Sequence, residues 1–276
     1  MLSEAWCALG TETHPDILLD LHKDYISAGS RLITANTFSS TRDILEVVGL
    51  EKKFAELNQR SVEIACEARA QQNADDSVLV AGSITHIIPA GGNTHTPKNS
   101  VSQFEENCIE MAAIHKAAGA DLIIAEMMGD PLYAPCVARA AKVNNLPIWI
   151  GLSSMSEDPT NLIACASPPI PMAEALPEIT RAGADVMGIM HTSAHCTGAA
   201  IDLLKQHWDG PLMAYPDSVA SRKKGQTDLD LSNVLGETAL IDYCRQWKTQ
   251  GVQIFGGCCG LTVSHIQALH NDLHKL

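Results

Sequence analysis

Apolar and polar positions alternate along the chain in two rhythms. From Pro15 to Ala28 the apolar residues Ile17, Leu18, Leu21, Tyr25 and Ile26 recur every three to four positions, the spacing of an amphipathic helix. Similar patterns predict helices over Lys52–Gln72, Ser102–Ala118, Leu132–Asn144, Met172–Ala182, Ala199–Gln206, Glu237–Gln250 and Val263–Leu273. Short apolar runs between them predict buried strands: Ser30–Phe38, Ser77–Ile84, Asp121–Glu126, Pro147–Leu152, Asp185–Met190, Pro211–Tyr215 and Val252–Phe255. Thr85–Asn99 and Asp217–Leu231 read as polar loops.

Strands that alternate with helices imply a parallel sheet joined by right-handed crossovers. Three helix-to-strand joints repeat one phrase, Ala28-Gly29-Ser30, Ala118-Gly119-Ala120 and Ala182-Gly183-Ala184, with glycine closing each helix. The repetition favours an α/β fold of the (β/α)8 TIM-type barrel over a doubly wound sheet. Such a barrel wants eight strands, and Met1–His14 offers none, so the first strand reads as missing or degenerate. One barrel of about 250 residues accounts for all of 1–276 as a single domain.

A formal charge of −13 disfavours nucleic acid and anionic membranes, which attract basic patches. No apolar run is long enough to span a bilayer, and the first residues lack a basic-then-apolar leader. The reading is a cytoplasmic protein acting on small molecules, with an oligomer left open. The 9 cysteines are odd in number and scattered, without a C-x-x-C pair, which argues for reduced thiols or metal binding and against a disulfide framework.

The densest candidate chemistry is Gly256-Gly257-Cys258-Cys259-Gly260, at the turn between the last strand and the last helix. A glycine-bent turn can swing two neighbouring sulfurs to one point and offer a soft cation two thiolates. Two buried thiols or a vicinal disulfide are the plainer alternatives. Barrel enzymes place their chemistry where strands end, which adds Asn36, Thr37, Glu126, His191, Tyr215 and Asp217 as candidates. Glu126 closes a wholly apolar strand, where an acid needs a partner such as a substrate ammonium.

His22-Lys-Asp-Tyr-Ile-Ser-Ala-Gly29, Ile33-Thr-Ala-Asn-Thr-Phe38, Val80-Ala-Gly-Ser83, Gly119-Ala-Asp-Leu-Ile-Ile-Ala-Glu126, Tyr215-Pro-Asp-Ser218 and Gly256-Gly-Cys-Cys-Gly260 stand in one order. Together they make the chain, from about residue 15 onward, resemble the homocysteine S-methyltransferase family of zinc-dependent barrels. The resemblance implies Zn2+ held by Cys258, Cys259 and a third cysteine closing an earlier strand. It also implies homocysteine bound near Glu126, Asn36, Thr37 and Phe38, and a methyl group moved to its thiol to give methionine. A small onium donor such as S-methylmethionine or betaine is expected, because one barrel leaves no room for a cobalamin or folate module.

Two departures stand out. The strand expected to end Gly-x-Asn-Cys ends Gly188-Ile189-Met190-His191, so His191 becomes the expected third ligand, with Cys196 as the alternative and His195 in the same loop. The Asp-Gly strand that opens family members is echoed only by Gly10-Thr11-Glu12. These departures keep two other readings alive: a catalytically impaired zinc- or thiol-binding homologue, and a zinc hydrolase with Glu126 or Asp217 as base. Trp6, Trp149, Trp208 and Trp247 read as packing, His86 and His95 as loop residues, and Arg222-Lys223-Lys224 as a solvated run. Asp217 stands where the family has asparagine.

Overall fold

The computed structural model describes residues 7–90, 93–95, 100–218 and 234–273. Seven strands, here β1 (Leu32–Thr34), β2 (Leu79–Thr85), β3 (Leu122–Met128), β4 (Ile148–Leu152), β5 (Val186–Ser193), β6 (Leu212–Asp217) and β7 (Val252–Phe255), follow one another in sheet order as they do in sequence. That order decides between the two topologies weighed from the sequence. A doubly wound sheet reverses direction at a switch point, whereas successive strands of a (β/α) barrel stay neighbours. Among the described residues the main sheet has 7 strands, one fewer than the eight of the full barrel pattern.

Contact density divides the chain into two compact units, residues 1–126 with 132–149, and 127–131 with 150–276. In the first, β1 pairs with β2 and β2 with β3, all parallel. Helix Phe54–Gln71 turns Val62 and Ala65 onto Ile33, Ala35, Val78 and Val80, forming a continuous apolar core. Each such valine or isoleucine contributes about 1.5–3 kcal/mol by leaving water. Asp121 clamps the start of the sheet, accepting the Val80 backbone N–H at 2.7 Å and the Arg69 guanidinium at 2.6 Å.

In the second unit, β5 pairs with β6 and β6 with β7, again parallel. Helix Ala194–Leu204 buries Cys196, Thr197, Ala200, Ile201 and Leu204. It begins five residues before the Ala199 expected from periodicity, because its first turn is built of small and polar residues that carry no apolar rhythm. Helix Glu237–Thr249 buries Leu240, Cys244 and Trp247.

Three other boundaries differ for local reasons. The first strand is shorter than Ser30–Phe38: Thr37 N–H turns back to the Ala35 carbonyl at 2.7 Å, and a 3-10 turn begins at Phe38. The expected Thr85–Asn99 loop contains a short antiparallel hairpin, Ile88–Ala90 with Asn93–His95. Strand β3 runs past Glu126 to Met128, and β5 runs past Met190 to Ser193, taking in the candidate His191. Arg222, Lys223, Lys224 and Trp6 lie outside the described residues, as does the His95 side chain.

Candidate metal centre

The Cys-Cys turn is zipped to the end of β6. Gly256 N–H donates to the Ala214 carbonyl at 3.0 Å, Cys258 N–H to Pro216 at 2.9 Å, and Ser218 N–H to Cys259 at 3.0 Å. These bonds carry the sheet ladder past the strand and fix both thiol-bearing residues against it. Two glycines are needed sterically. A Cβ on Gly257 would lie 2.6 Å from that of Leu261, and Gly260 has φ +82°, a left-handed angle that disfavours side chains.

His191 reaches the same point through strain. Between Met190 and Ser193 the pairing of β5 with β6 shifts register, a bulge, and within it His191 adopts φ +42°. Non-glycine residues are uncommon at such angles, and a bulge re-aims the side chain it carries. The Ser153 and Thr192 hydroxyls, each 2.9 Å away, hold the Met190 carbonyl that precedes it.

The His191 Nδ1 atom lies 3.6 Å from Cys258 Sγ and 3.7 Å from Cys259 Sγ, and the sulfurs are 3.9 Å apart. A tetrahedral zinc with bonds of about 2.3 Å to sulfur and about 2.05 Å to nitrogen has edges of about 3.8 Å and about 3.6 Å. The three atoms therefore already stand at the spacing such an ion requires. They form the one metal-competent cluster found among the described residues, all within 4.8 Å of each other. Asp217 approaches the same nitrogen, with Oδ2 at 3.2 Å from Nδ1.

Cys196 lies outside this cluster, fully buried in the first turn of helix Ala194–Leu204, and His195 is exposed. Burial pushes the thiols of Cys136 to about 11 and of Cys165 and Cys244 to about 12, and that of Cys108 well above its ordinary value. Those four stay protonated and inert near neutral pH. No cysteine of the described chain is in a disulfide.

A family profile described as "Homocysteine S-methyltransferase" matches residues 1–273. The chain belongs to that family. Among curated relatives, selenocysteine Se-methyltransferase of Brassica oleracea var. italica is 25% identical, over 97% of this chain and 82% of its own length. Homocysteine S-methyltransferase 2 of Zea mays is 26% identical, covering 98% and 84%. The crystal structure of the homocysteine methyltransferase MmuM from Escherichia coli in its metallated form superimposes with TM-score 0.75 at 24% identity, over 98% of this chain and 89% of that one. This places the homocysteine S-methyltransferase homologue described here in the TIM-type fold, in keeping with its strand order.

The residues expected from the sequence to contact substrate lie in the first unit. Glu126 is half-buried, inside β3 and opposite Thr85 on β2, and accepts the Ser83 hydroxyl at 2.5 Å. Thr37 is fully buried and spends its hydroxyl on Ser83, accepting its N–H at 2.8 Å and donating to its carbonyl at 2.9 Å. Ser83 thus links Thr37 to Glu126. In the sequence Ser83 stands at the end of Val80-Ala-Gly-Ser83 with no mark of a role; its position toward the carboxyl end of β2 was the available signal. Asn36 donates its amide to the Cys7 carbonyl at 2.8 Å and to Thr11 at 3.1 Å, tying down the segment before the first long helix. Phe38 is half-buried at the start of its turn.

Of the remaining residues, His86 is buried and stacks 6.1 Å from Tyr133. Trp247 is buried and stacked on Tyr243, and Trp208 donates to the Pro211 carbonyl. No described helix is long and apolar enough to cross a membrane.

Proposed function

We propose that this chain is a zinc-dependent methyltransferase that moves a methyl group from a small onium compound to the thiol of homocysteine, giving methionine. The observation that carries the reading is the convergence of Cys258, Cys259 and His191 at tetrahedral separations, in a chain of this family. Two thiolates and an imidazole suit zinc, which when bound lowers the acidity threshold of a thiol so that it is ionised near neutral pH. In the transfer, the homocysteine sulfur forms a bond to the methyl carbon. The donor's S–C or N–C bond breaks, its electron pair stays on the donor, which leaves neutral, and the thiol proton passes to solvent.

The protein's own part is to orient and bind. Glu126, its carboxylate steadied by the Ser83 hydroxyl, receives the substrate ammonium, and Thr37 holds Ser83 in place. Asn36 and Phe38 flank Thr37 in the same segment. His191 brings a neutral ligand where a third thiolate would bring a negative one, so the metal keeps more positive charge. The bound sulfur then ionises readily but attacks less strongly than one on an all-thiolate site.

The deciding experiment incubates zinc-loaded protein with homocysteine and either S-methylmethionine or betaine and measures methionine by mass spectrometry. Methionine formation that needs both substrates and stops on zinc removal is expected. Zinc-loaded protein that binds homocysteine yet yields no methionine from either donor would reduce the chain to a thiol-binding homologue. Hydrolytic activity without methyl transfer would point to a zinc hydrolase.

A further inference from the structure

Among the described residues, Asn73, Met127, Asn145 and His191 are the non-glycine residues on left-handed backbone angles. Asn73 and Asn145 follow the ends of helices Phe54–Gln71 and Ala134–Val143, where asparagine commonly takes such an angle. Met127 at φ +55° and His191 at φ +42° lie instead in strands, and one side chain joins them. Met190, the residue before His191, turns its sulfur to the Met127 backbone, whose N–H donates to Sδ at 3.1 Å. The Ser153 hydroxyl lies 3.0 Å from the same sulfur.

The thioether occupies a built slot. Met190 is buried, and its carbonyl is held as well, by the Ser153 and Thr192 hydroxyls at 2.9 Å each. Glycine at position 151 on β4 keeps the slot open, since a Cβ there would fall 2.6 Å from Met190 Cγ. A buried backbone N–H is costly to leave unpaired, and a thioether supplies an acceptor, if a weak one, that a hydrocarbon of the same volume lacks. With sulfur and carbonyl both fixed, the peptide that leads into His191 has little freedom left.

The imidazole needs such a fixture. Its Nδ1 stands one bond farther from Cβ than a thiol sulfur does, so a backbone path that presents cysteine correctly would carry a histidine past the Cys258–Cys259 pair. A bulge re-aims the side chain it carries, and His191 lies in one, with Nδ1 at 3.6 Å and 3.7 Å from the two sulfurs. The expected Gly-x-Asn-Cys ending is replaced at both of its last positions, by Met190 as well as by His191, so the residue that anchors the bulge and the residue it aims depart from that pattern together.

We propose that Met190 is a positioning residue: through its sulfur it holds the bulge at the angle that delivers the His191 imidazole to Cys258 and Cys259, and it acts on the metal only through His191. This inference rests on the metal-site reading above. A group that works through His191 has two marks. Its loss strips the imidazole from the metal while leaving both sulfurs, and it costs nothing where His191 is already gone.

The test uses the full-length chain, its Met190→Leu, Ser153→Ala and His191→Ala variants and the Met190→Leu/His191→Ala double variant, each checked for folding by circular dichroism. Leucine conserves the volume of methionine and lacks the acceptor. Zinc affinity is measured by chelator competition, and the neighbours of bound zinc by X-ray absorption, in which imidazole leaves an outer-shell signature that thiolate does not. Met190→Leu is expected to lose about 10–100-fold in zinc affinity, the scale for a group that orients a ligand, with two sulfurs kept and the imidazole signature lost. In the His191→Ala chain the same substitution is expected to cost nothing further. Unchanged affinity and an intact imidazole signature in Met190→Leu would make the methionine packing alone and overturn the proposal, as would an equal loss with and without His191. Ser153→Ala, which withdraws a hydroxyl and adds no bulk, carries the test if Met190→Leu does not fold: a loss in the same direction is expected, and unchanged zinc affinity overturns the proposal. A wild-type chain that binds no zinc, or binds it without imidazole, overturns the metal-site reading and the proposal with it.

Discussion

Two histidines show how differently this chain uses one side chain. His115, on helix Val101–Ala117, is wholly buried, and its ring bonds Asn58 at 2.9 Å, whose amide in turn holds the Ser40 and Phe54 carbonyls. Burial drives its pKa down to about 3, so it stays neutral. His191 sits partly buried on a bulge with a left-handed backbone angle and faces two thiols and a carboxylate. The first environment is a single contact, made by Nε2, on a regular helix, with the buried Nδ1 left without a hydrogen-bond partner among the described residues. The second converges several donors on one atom and holds its backbone at a sparsely populated angle. Strain of that kind persists where the surrounding structure over-determines it, and here the Ser153 and Thr192 hydroxyls help to do so.

The strongest way to break the contrast is to remove a sulfur. Structural zinc sites bind with about 10–16 kcal/mol spread over four ligands, so one thiolate contributes about 3–4 kcal/mol, a loss on the order of several hundred-fold in affinity. Cys258→Ser and Cys259→Ser are each expected to lose zinc on this scale in chelator competition. His115→Gln is expected to leave zinc affinity unchanged. Equal zinc loss from the His115 variant would erase the distinction between the two environments.

A steric test of the first environment comes next. A Cβ added at Gly82 on β2 would fall 2.2 Å from His115 Nδ1. The ring cannot yield without giving up Asn58, so Gly82→Ala is expected to cost about 2–3 kcal/mol in urea denaturation. His115→Ala in the same chain should recover part of that cost, because the two sites share one space.

The acid response is smaller and follows from proton counting. His115 and His22, the latter at about 4, both have folded pKa values below the ordinary imidazole value of 6.5, by burial in each case. Between the folded and unfolded values the unfolded chain binds more protons, so stability is complete above pH 6.5 and falls as the pH drops toward 4 and then 3. Each histidine contributes a slope of at most about 1.4 kcal/mol per pH unit. Replacing His115 with glutamine should flatten the curve of denaturation midpoint against pH in that window. An unchanged curve would mean that carboxylates elsewhere dominate acid unfolding.

Much of this was legible in the sequence, for reasons that differ by residue. The strands at 79–85 and 122–128 announced themselves as apolar runs because both faces of a parallel sheet are covered. The Cys-Cys turn was visible because glycines flanked it, and two of those glycines prove sterically necessary. The bulge was not legible, since Met190, His191 and Thr192 carry no signal for a left-handed angle, which arises only from pairing with β6. Without the bulge, the convergence of Asp217 on His191 could not be foreseen. Ser83 escaped for a related reason: its hydroxyl gains meaning only when register sets Thr85 opposite Glu126 and leaves Ser83 within reach of the acid. The early start of helix Ala194–Leu204 was hidden because Cys196 and Thr197 pack through small volumes.

That last misreading yields the smallest and cleanest prediction. Read as loop, Cys196 was a reasonable alternative third ligand; as the third residue of a helix, with no exposed surface, its sulfur is part of a packed interior. Cys196→Ala should therefore keep wild-type zinc affinity and lose only about 1 kcal/mol of stability, the scale of deleting one small buried group. His191→Ala should show the reverse pattern, with zinc affinity reduced and stability little changed, since alanine keeps the Cβ that strains a φ of +42° and the imidazole it removes is only partly buried. The pair forms a crossed comparison in which each variant controls for the other. If zinc binding tracked Cys196 and ignored His191, the bulge would have to be read as packing alone, and the cation would have to recruit the helix's first turn.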